Sequence, residues 1–378
     1  MAAPLKEVLL VGFGAVGAIY SLILKRSGLT RVTAVARSNY EIVKDQGVHF
    51  RSLKYGNIEG WKPDRLCKSV AEAADREYSY VVITTKAIPE LTKTPEILAP
   101  LLAKEYREKF KQPTYAILQN GLNVEVDLYN ALKEAQPSLK PSILSTAVWI
   151  GTNLSTPNTV EHNDFDRVTL GVYRHEDFVT SKNSTDEDAL LQDFGRLLEQ
   201  GGTTLTIVPE IQRKKFLKNF WNVGFASFAT LTQYTLPAIF RGPPKENSVS
   251  YTPFVSPKTA DRISEYTIPA LRATFQELVT LGRALGFPDS EEGLSSSTVD
   301  FTILNTQALH EKANSRHVPS MLLDLQRGMP IEVEAVLGEV VRMARKRQVD
   351  IPRVETLYAL LLITQNQILR ELENKKSG

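Results

Sequence analysis

The pattern of hydrophobic and polar positions divides the chain into two parts of different character. The first part contains short apolar runs of strand length, at 8–11, 31–36, 80–85 and 115–118. A continuous apolar run of this length, bounded by turn residues, predicts a strand buried on both faces. Helical segments separate these runs, and such alternation predicts a parallel sheet.

The remaining elements follow from the same reading. Further strands are predicted over 143–149, 159–161, 167–170 and 203–208, with a hairpin over 48–61 that turns at Tyr55-Gly56-Asn57 and a helix over 189–198. After Pro209 helix-length periodicity dominates, over 211–232, 263–285, 297–308, 320–327, 331–347 and 354–374. The segment 241–257, rich in proline and serine, is typical of a surface loop or insertion. We therefore predict two domains, 1–209 and 210–378.

A glycine motif follows the first apolar run directly. It reads Gly12-Phe13-Gly14-Ala15-Val16-Gly17 and leads into a helix-compatible segment. The first glycine allows a sharp turn, the second allows backbone to approach phosphate, and the third allows close packing of helix and strand. The N–H groups that start the helix can bind an anion. Residues 12–17 thus predict a pyrophosphate site in a Rossmann-type domain.

The end of the second strand indicates which dinucleotide is bound. Domains that bind NAD carry an acidic residue here, about 20 residues beyond the glycines, for the ribose hydroxyls. This chain has Arg37 and Ser38 instead. A guanidinium and a hydroxyl suit a 2′-phosphate, so we expect NADPH or NADP⁺. The alternative is that Arg37 is only a solvated residue after a strand.

Two polar residues follow other predicted strands. Lys86 comes after the strand over 80–85, and Asn120 follows that over 115–118. Ligands of open α/β sheets lie beyond the carboxyl ends of the strands, which favours a binding role for both residues. The alternatives are a surface lysine and an ordinary Asn-Gly turn.

Composition excludes several classes of partner. The 378 residues carry a net charge of +2, which gives no reason to expect a nucleic acid or a membrane as partner. One cysteine and five histidines make a metal site improbable. The single cysteine also indicates a reducing compartment, and the first strand begins too early for a signal peptide, so we expect a cytoplasmic protein.

The helical part offers candidate chemistry but leaves it undecided. Lys218 and Asn222 are spaced i,i+4 on one helix face with aromatic neighbours, and a partly desolvated lysine suits proton transfer. Most helix lysines reach water instead, and Lys214 and Lys215 are equal rivals.

The segment beyond 319 is equally ambiguous. Ser320 and Asp324 share one face of a short helix, where the serine could simply be the N-cap. Pro330 is expected in the first turn of the next helix, where Glu332 would be favoured by the helix dipole without any catalytic role.

Several ordered segments together resemble the ketopantoate reductase (2-dehydropantoate 2-reductase) family, NADPH enzymes of pantothenate biosynthesis. The resemblance spans about residues 8 to 361. It rests on GFGAVG with the Ala-Arg-Ser strand end, VVITTKAIPE, AILQNGLNVE, KNFWNVGFASFATLT and PSMLLDLQRGMPIEVEAVLGEVVRMARKRQVDIP. It implies a Rossmann-type NAD(P)-binding domain followed by an all-α domain like the C-terminal domain of 6-phosphogluconate dehydrogenase.

The resemblance also implies roles for residues of the helical part. Lys218 matches the catalytic lysine and Glu332 the carboxylate that works with it, which resolves the choice among the three lysines. Asn222 matches the hydrogen-bonding neighbour of the lysine, Ser320 the contact to the substrate carboxylate, and Asp324 an acidic site residue.

In the cofactor half, the resemblance matches Asn120 to a residue near nicotinamide and substrate. Lys86 matches the lysine beside the cofactor, and Glu332 is also expected to approach it. The substrate implied is a small 2-oxo acid, and a homodimer is possible.

Two positions depart from the family pattern. The family usually has a second asparagine four residues after Asn222, where this chain has Ala226, and an asparagine where it has His317. Losing a hydrogen-bonding group changes substrate choice. The alternatives to ketopantoate reduction are therefore an NADPH reductase of another 2-oxo acid or carbonyl and, from another class, a nonenzymatic NADP-binding sensor.

Overall fold

The computed structural model describes residues 4–244, 251, 253–315 and 317–377. The chain divides into two compact units, the sheet unit Met1–Lys215 and the helical unit Phe216–Gly378. The division follows Lys215 rather than Pro209. The reason is that Gln212 and Arg213 donate hydrogen bonds to main-chain oxygens of the sheet unit, those of Arg174, Asp177 and Phe178.

The sheet unit is built on one mixed sheet. Its strands in the described residues are β1 (Lys6–Val11), β2 (Thr30–Val35), β3 (Val48–Ser52), β4 (Gly56–Trp61), β5 (Arg65–Cys67), β6 (Tyr80–Ile83), β7 (Thr114–Ile117), β8 (Ile143–Thr156), β9 (Thr159–Val172) and β10 (Thr204–Ile207). They lie in the order β4-β3-β9-β8-β7-β6-β1-β2-β5, with β10 paired to β9. Antiparallel pairing joins β3 to β4 and β8 to β9, and the other pairs are parallel.

Helices cover both faces of this sheet. Those of the sheet unit are α1 (Ala15–Arg26), α2 (Tyr40–Gln46), α3 (Val70–Ala73), α4 (Thr94–Ile97), α5 (Ala99–Leu102), α6 (Lys104–Lys109), α7 (Val126–Ala135) and α8 (Thr185–Gly201). Alternate side chains of β1 enter two separate cores, Val8 and Leu10 one of them and Leu9 and Val11 the other. This two-sided burial explains why the strand reads as a continuous apolar run.

The helical unit is interrupted by π-helical segments. Helix α9 (Ile211–Trp221) contains the division between the units and continues as a π-helical segment, Asn222–Ala226. The other helices of the described residues are α10 (Ser227–Thr232), α11 (Pro237–Phe240), α12 (Ala260–Arg262), α13 (Ile268–Ala284), α14 (Thr298–His310), α15 (Ser320–Gln326), α16 (Glu339–Arg347) and α17 (Pro352–Ser377). Two more π-helical segments span Ile263–Thr267 and Glu334–Gly338.

Aromatic rings hold the helical core together. The rings of Phe220 and Phe225 pack on Phe275, with centroids 6.0 and 5.3 Å apart. A side chain at Gly224 would lie 2.5 Å from the Phe275 ring, so this glycine permits the close approach. The aromatic positions that make the sequence of α9 look apolar are thus core positions.

Three predicted details of the strands and helices were wrong, and one predicted loop lies partly outside the described residues. The hairpin turn lies at 53–55, because Gly56 and Asn57 already belong to β4, and 159–161 and 167–170 form one strand, β9, paired along β8. The helix expected to start at Pro330 begins only after Glu332. In the predicted loop 241–257, residues 245–250 and 252 lie outside the described residues, and the rest forms neither helix nor strand.

Within the described residues, no helix combines the length and apolarity needed to cross a bilayer. No group of three or more histidine, cysteine and acidic side chains in that part of the chain is placed to hold a metal ion. The cysteine, Cys67, is buried in the sheet unit.

Candidate active site

The glycine loop after β1 has a geometry that only glycine allows at two positions. Gly12 has φ +103°, and a Cβ there would lie 2.6 Å from the Thr85 nitrogen. A Cβ on Gly17 would lie 1.9 Å from the Gly12 oxygen. The loop must therefore fold tightly against both its own helix and the end of β6.

The middle glycine faces open space instead. Nothing lies within 4 Å of the place that a Cβ on Gly14 would occupy. Gly14 is also the N-cap of α1, and it provides no side-chain hydrogen bond to the first turn. The unsatisfied N–H groups and the space before them fit the pyrophosphate of a dinucleotide.

Four neighbouring parallel strands bring the predicted cofactor contacts to one edge of the sheet. The strands β7, β6, β1 and β2 are adjacent and parallel. Asn120 follows β7, Lys86 follows β6, and Arg37 and Ser38 follow β2. Both Arg37 and Ser38 are exposed, as contacts to a ligand phosphate require.

Side chains that sequence reasoning missed tie this edge together. The amide of Asn39 donates to the Phe13 oxygen at 2.9 Å, and the Thr84 hydroxyl donates to the Gly12 oxygen at 2.6 Å. Gln119 donates to the hydroxyl of Thr85 at 3.0 Å. Each lies within two residues of a predicted contact, so the signal available was a polar residue beside a strand end.

The helical unit brings its predicted residues onto elements that contact one another. Lys218 lies on α9, and Asn222 begins the π-helical segment. This segment contacts both α15, which carries Ser320 and Asp324, and the π-helical segment 334–338. Glu332 precedes the latter and is only 5% exposed. π-Bulges occur frequently at functional sites, and these two were invisible in the sequence.

One hydrogen bond links α9 to the π-helical segment Glu334–Gly338. The amide nitrogen of Asn219, one residue after Lys218, donates to the Val336 oxygen at 2.8 Å. The main-chain nitrogen of Val336 in turn donates to the Glu332 oxygen at 3.0 Å. The backbone that carries Glu332 is therefore linked to the helix that carries Lys218.

The structure corrects one assignment and distinguishes the rival lysines. Pro319, not Ser320, is the N-cap of α15, so the interpretation of Ser320 as a cap is wrong. Lys215 is the buried lysine of the three, 5% exposed, and pairs with Glu125, whose carboxylate also accepts from Ser145. Desolvation alone would have selected Lys215, but its partner assigns it to an ion pair of the sheet unit.

A buried carboxylate caps the start of α9. Both oxygens of Glu210 accept main-chain hydrogen bonds, from Gln212 at 3.0 Å and from Arg213 at 2.6 Å. Burial nevertheless raises the pKa of Glu210 to about 7, because desolvation outweighs these bonds and the nearby Arg213 charge. This group therefore titrates near neutral pH.

The two positions that depart from the family pattern have different environments. Ala226 is buried, 2% exposed, at the end of the π-helical segment. His317 is exposed, and its ring packs edge-on against Trp221 with centroids 5.5 Å apart.

Comparison with known proteins agrees with this geometry. A family model described as ketopantoate reductase PanE/ApbA matches residues 8–175, and the model of its C-terminal part matches 256–365. The chain belongs to the ketopantoate reductase family. This membership confirms the predicted fold class, an α/β Rossmann-type domain followed by a helical domain, and the prediction of a nicotinamide dinucleotide cofactor. The family consists of oxidoreductases that act on a ketone or the corresponding CH–OH group.

Individual relatives are distant but match over nearly their whole length. An uncharacterized protein of Saccharomyces cerevisiae is 26% identical over 374 residues, 96% of this chain and 95% of the relative. The 2-dehydropantoate 2-reductase of Methylococcus capsulatus has the same fold, with a TM-score of 0.71, 23% identity, and coverage of 96% and 97%. D-mandelate dehydrogenase with NADH and anilino(oxo)acetate matches with a TM-score of 0.70, 16% identity, and coverage of 96% and 99%.

Proposed function

We propose that this protein reduces the ketone of a 2-oxo acid with NADPH, and that the substrate is 2-dehydropantoate, which becomes pantoate. The reaction would belong to pantothenate and coenzyme A biosynthesis. The observation that carries the proposal concerns the π-helical segment Asn222–Ala226. It continues the helix of Lys218 and contacts both the helix of Ser320 and the segment that follows Glu332. A protein that only binds a dinucleotide has no need of this set.

In the sheet unit, the glycine loop would hold the pyrophosphate, and Arg37 with Ser38 would hold a 2′-phosphate. An exposed arginine and serine directly after β2, where NAD-binding domains carry an acidic residue, support NADPH over NADH. Lys86 and Asn120 would lie beside the cofactor. When bound, the cofactor supplies the hydride.

In the helical unit, Lys218 would donate a hydrogen bond and then a proton to the ketone oxygen. The buried Glu332 would orient Lys218 and favour its charged form, and it would also approach the cofactor. Asn222 would position the carbonyl. Ser320 would donate to the substrate carboxylate, with Asp324 nearby. Fixing these groups before the reaction is how the protein contributes to catalysis.

The second candidate is reduction of a different 2-oxo acid by the same residues. The buried Ala226 and the exposed His317 favour it, since each replaces a hydrogen-bonding asparagine expected from the family pattern. The nonenzymatic sensor remains the third candidate. A homodimer and a cytoplasmic location stay predictions, which sedimentation and localisation of the tagged protein would test.

One assay separates the three candidates. Purified protein is mixed with NADPH or NADH and a panel of 2-oxo acids that includes ketopantoate, and nicotinamide absorbance is followed. Rapid loss with ketopantoate and NADPH is the expected result. Turnover restricted to other oxo acids would support the second candidate, and tight NADPH binding without turnover of any carbonyl would leave the sensor.

A further inference from the structure

Arg241 of the helical unit is buried without an acidic partner. It is 8% exposed, and its Nη2 donates to the main-chain oxygens of Lys312 and Ser315, at 2.6 and 3.2 Å. Its Nε has no hydrogen-bond partner. In the part of the chain that the structure describes, no carboxylate forms an ion pair with it. Buried guanidinium groups are usually paired, so this cation lacks an expected anion.

Two histidines add hydrogen-bonding groups beside this guanidinium. His310 is 3% exposed, and its Nδ1 lies 3.0 Å from the Ser315 hydroxyl. Its ring centroid is 6.0 Å from that of the exposed His317. Burial, together with the charges of His317 and Arg241, lowers the pKa of His310 to about 4. Neutral imidazoles still donate hydrogen bonds, and no acidic group is among the causes of this shift.

Ring contacts connect this cluster to the predicted substrate contacts. His317 packs against Trp221, the residue before Asn222, and it precedes Ser320 by three residues. Phe225, the residue before Ala226, packs against Phe240, the residue before Arg241, with centroids 5.8 Å apart. The two departures from the family pattern and the start of the predicted insertion therefore meet in one region of the helical unit.

We propose that Arg241, His310 and His317 form an anion subsite that binds a second carboxylate, at the end of the 2-oxo acid substrate away from the ketone. Among the described residues no carboxylate pairs with the guanidinium, and the exposed His317 lies beside His310. His317 also packs against Trp221, the last residue of the helix that carries Lys218 and the residue before Asn222. This inference rests on the second candidate of the proposed function, reduction of a 2-oxo acid other than 2-dehydropantoate, and names the class of that substrate as 2-oxo dicarboxylates.

The test compares two substrates of equal chain length, 2-oxoglutarate and 2-oxopentanoate, which differ in the terminal carboxylate. We expect the wild-type protein to prefer 2-oxoglutarate in kcat/KM. In Arg241→Gln this preference should fall about tenfold to 100-fold, the range for a hydrogen bond to a charged group. His317→Asn should reduce it in the same direction, and folding of this variant is safe because the residue is exposed. Arg345→Gln, an exposed arginine of α16 paired with Glu355, serves as the control whose preference stays as in wild type.

A binding measurement separates failure of the subsite from failure of the proposed function. Glutarate has both carboxylates and no ketone, so it cannot be reduced. It should raise the melting temperature of the wild-type protein and of Arg345→Gln, and have less effect on Arg241→Gln and His317→Asn. The subsite is refuted if wild type shows no preference for 2-oxoglutarate and glutarate protects either all variants equally or none of them. In that case, turnover of 2-oxopentanoate would still support the reductase function. If no oxo acid is reduced but glutarate protection depends on Arg241 and His317, the anion site stands and the reductase function falls.

Discussion

The buried Lys215 of the sheet unit and the buried Arg241 of the helical unit are partnered differently. In the sheet unit the buried Lys215 faces Glu125, and Lys54 faces the fully buried Asp166. In the helical unit the buried Arg241 rests on two main-chain oxygens instead of a carboxylate. Each charge of a buried pair offsets part of the desolvation cost of the other, whereas a buried cation with no acidic partner among the described residues can gain free energy from a ligand anion. The proposed anion subsite would account for this contrast.

The units also differ in how they hold their predicted functional residues. The sheet unit presents them just beyond the ends of adjacent strands, where backbone geometry fixes their positions. The helical unit presents them on and around helices that π-helical segments interrupt. The proposed cofactor contacts thus rest on strand ends, whereas the proposed substrate contacts and Ala226 lie on or beside π-helical segments, which occur frequently at functional sites.

The largest effect expected in this comparison is on catalysis by the helical unit. Lys218→Ala should lower kcat by about 10²–10⁴-fold, because a general acid is removed. Lys214→Ala, four residues earlier on the same helix, is the matched control and should retain wild-type turnover. Steady-state assays with the best substrate of the panel decide the matter, and near-normal turnover of Lys218→Ala would exclude its catalytic role.

The next largest effect concerns the ion pair of the sheet unit. Lys215→Met leaves Glu125 buried without its partner and should lower the free energy of unfolding by about 3–5 kcal/mol. The double variant Lys215→Met/Glu125→Leu should recover much of this loss. Urea unfolding followed by circular dichroism measures both.

The corresponding change in the helical unit sharpens the comparison. Arg241→Met removes a buried cation without stranding a carboxylate, so it should destabilise the protein less than Lys215→Met does. If both variants lose the same free energy of unfolding, the difference in charge pairing does not affect stability.

Within the glycine loop, two substitutions should have separate effects. Gly17→Ala places a methyl group against the Gly12 oxygen and should cost about 1–3 kcal/mol of stability, as overpacking does. Gly14→Ala meets no protein atom, so the fold should remain stable while affinity for the dinucleotide falls. Thermal unfolding and cofactor titration distinguish the two outcomes. Equal destabilisation by both would contradict the geometry of the loop.

The cofactor preference provides a smaller test. Arg37→Ala should raise the KM for NADPH about tenfold, the lower limit for losing a hydrogen bond to a charged group, and leave that for NADH nearly unchanged. Arg31→Ala, at another exposed arginine of the same strand region, is the control. A parallel rise for both cofactors would assign Arg37 a role other than binding the 2′-phosphate.

The smallest expected effect is on the pH dependence of stability, to which the two units contribute with opposite signs. The raised pKa of Glu210 means that the native state holds more protons between about pH 4.5 and 7, so its contribution to stability is lost as pH rises through this window. The lowered pKa of His310 means that the unfolded state holds more protons between about pH 4 and 6.5, so its contribution is lost as pH falls.

When one of the two groups is removed, the pH dependence of the free energy of unfolding should show the contribution of the other. Between pH 4.5 and 6.5, the free energy of unfolding of Glu210→Gln should rise relative to that of wild type, by on the order of 1 kcal/mol. That of His310→Gln should fall by a similar amount. Urea unfolding at each pH measures both. Identical pH profiles in the two variants would refute the opposed contributions.

Local patterns predicted the sheet unit well and the helical unit less completely. The buried strands and the glycine loop have local signatures, because a strand covered on both faces must be apolar and a tight turn must use glycine. The predicted start of the helix after Pro330 is too early, and the alternative role of Ser320 as a cap is wrong, because capping residues have similar local patterns whether or not they cap. For Lys218, the residues left a tie that only the resemblance to a family resolved.

The sequence by itself determined the class of fold, the glycine loop and the family of oxidoreductases, because each can be recognised from short segments of consecutive residues. Only the tertiary structure decided that Lys215 has a carboxylate partner in Glu125 and that Asn219 links α9 to the π-helical segment Glu334–Gly338. It also decided that Arg241 lies near His310, with no acidic partner among the described residues. These facts depend on residues separated by tens of positions, and neither burial nor pairing can be read until the chain has brought them together.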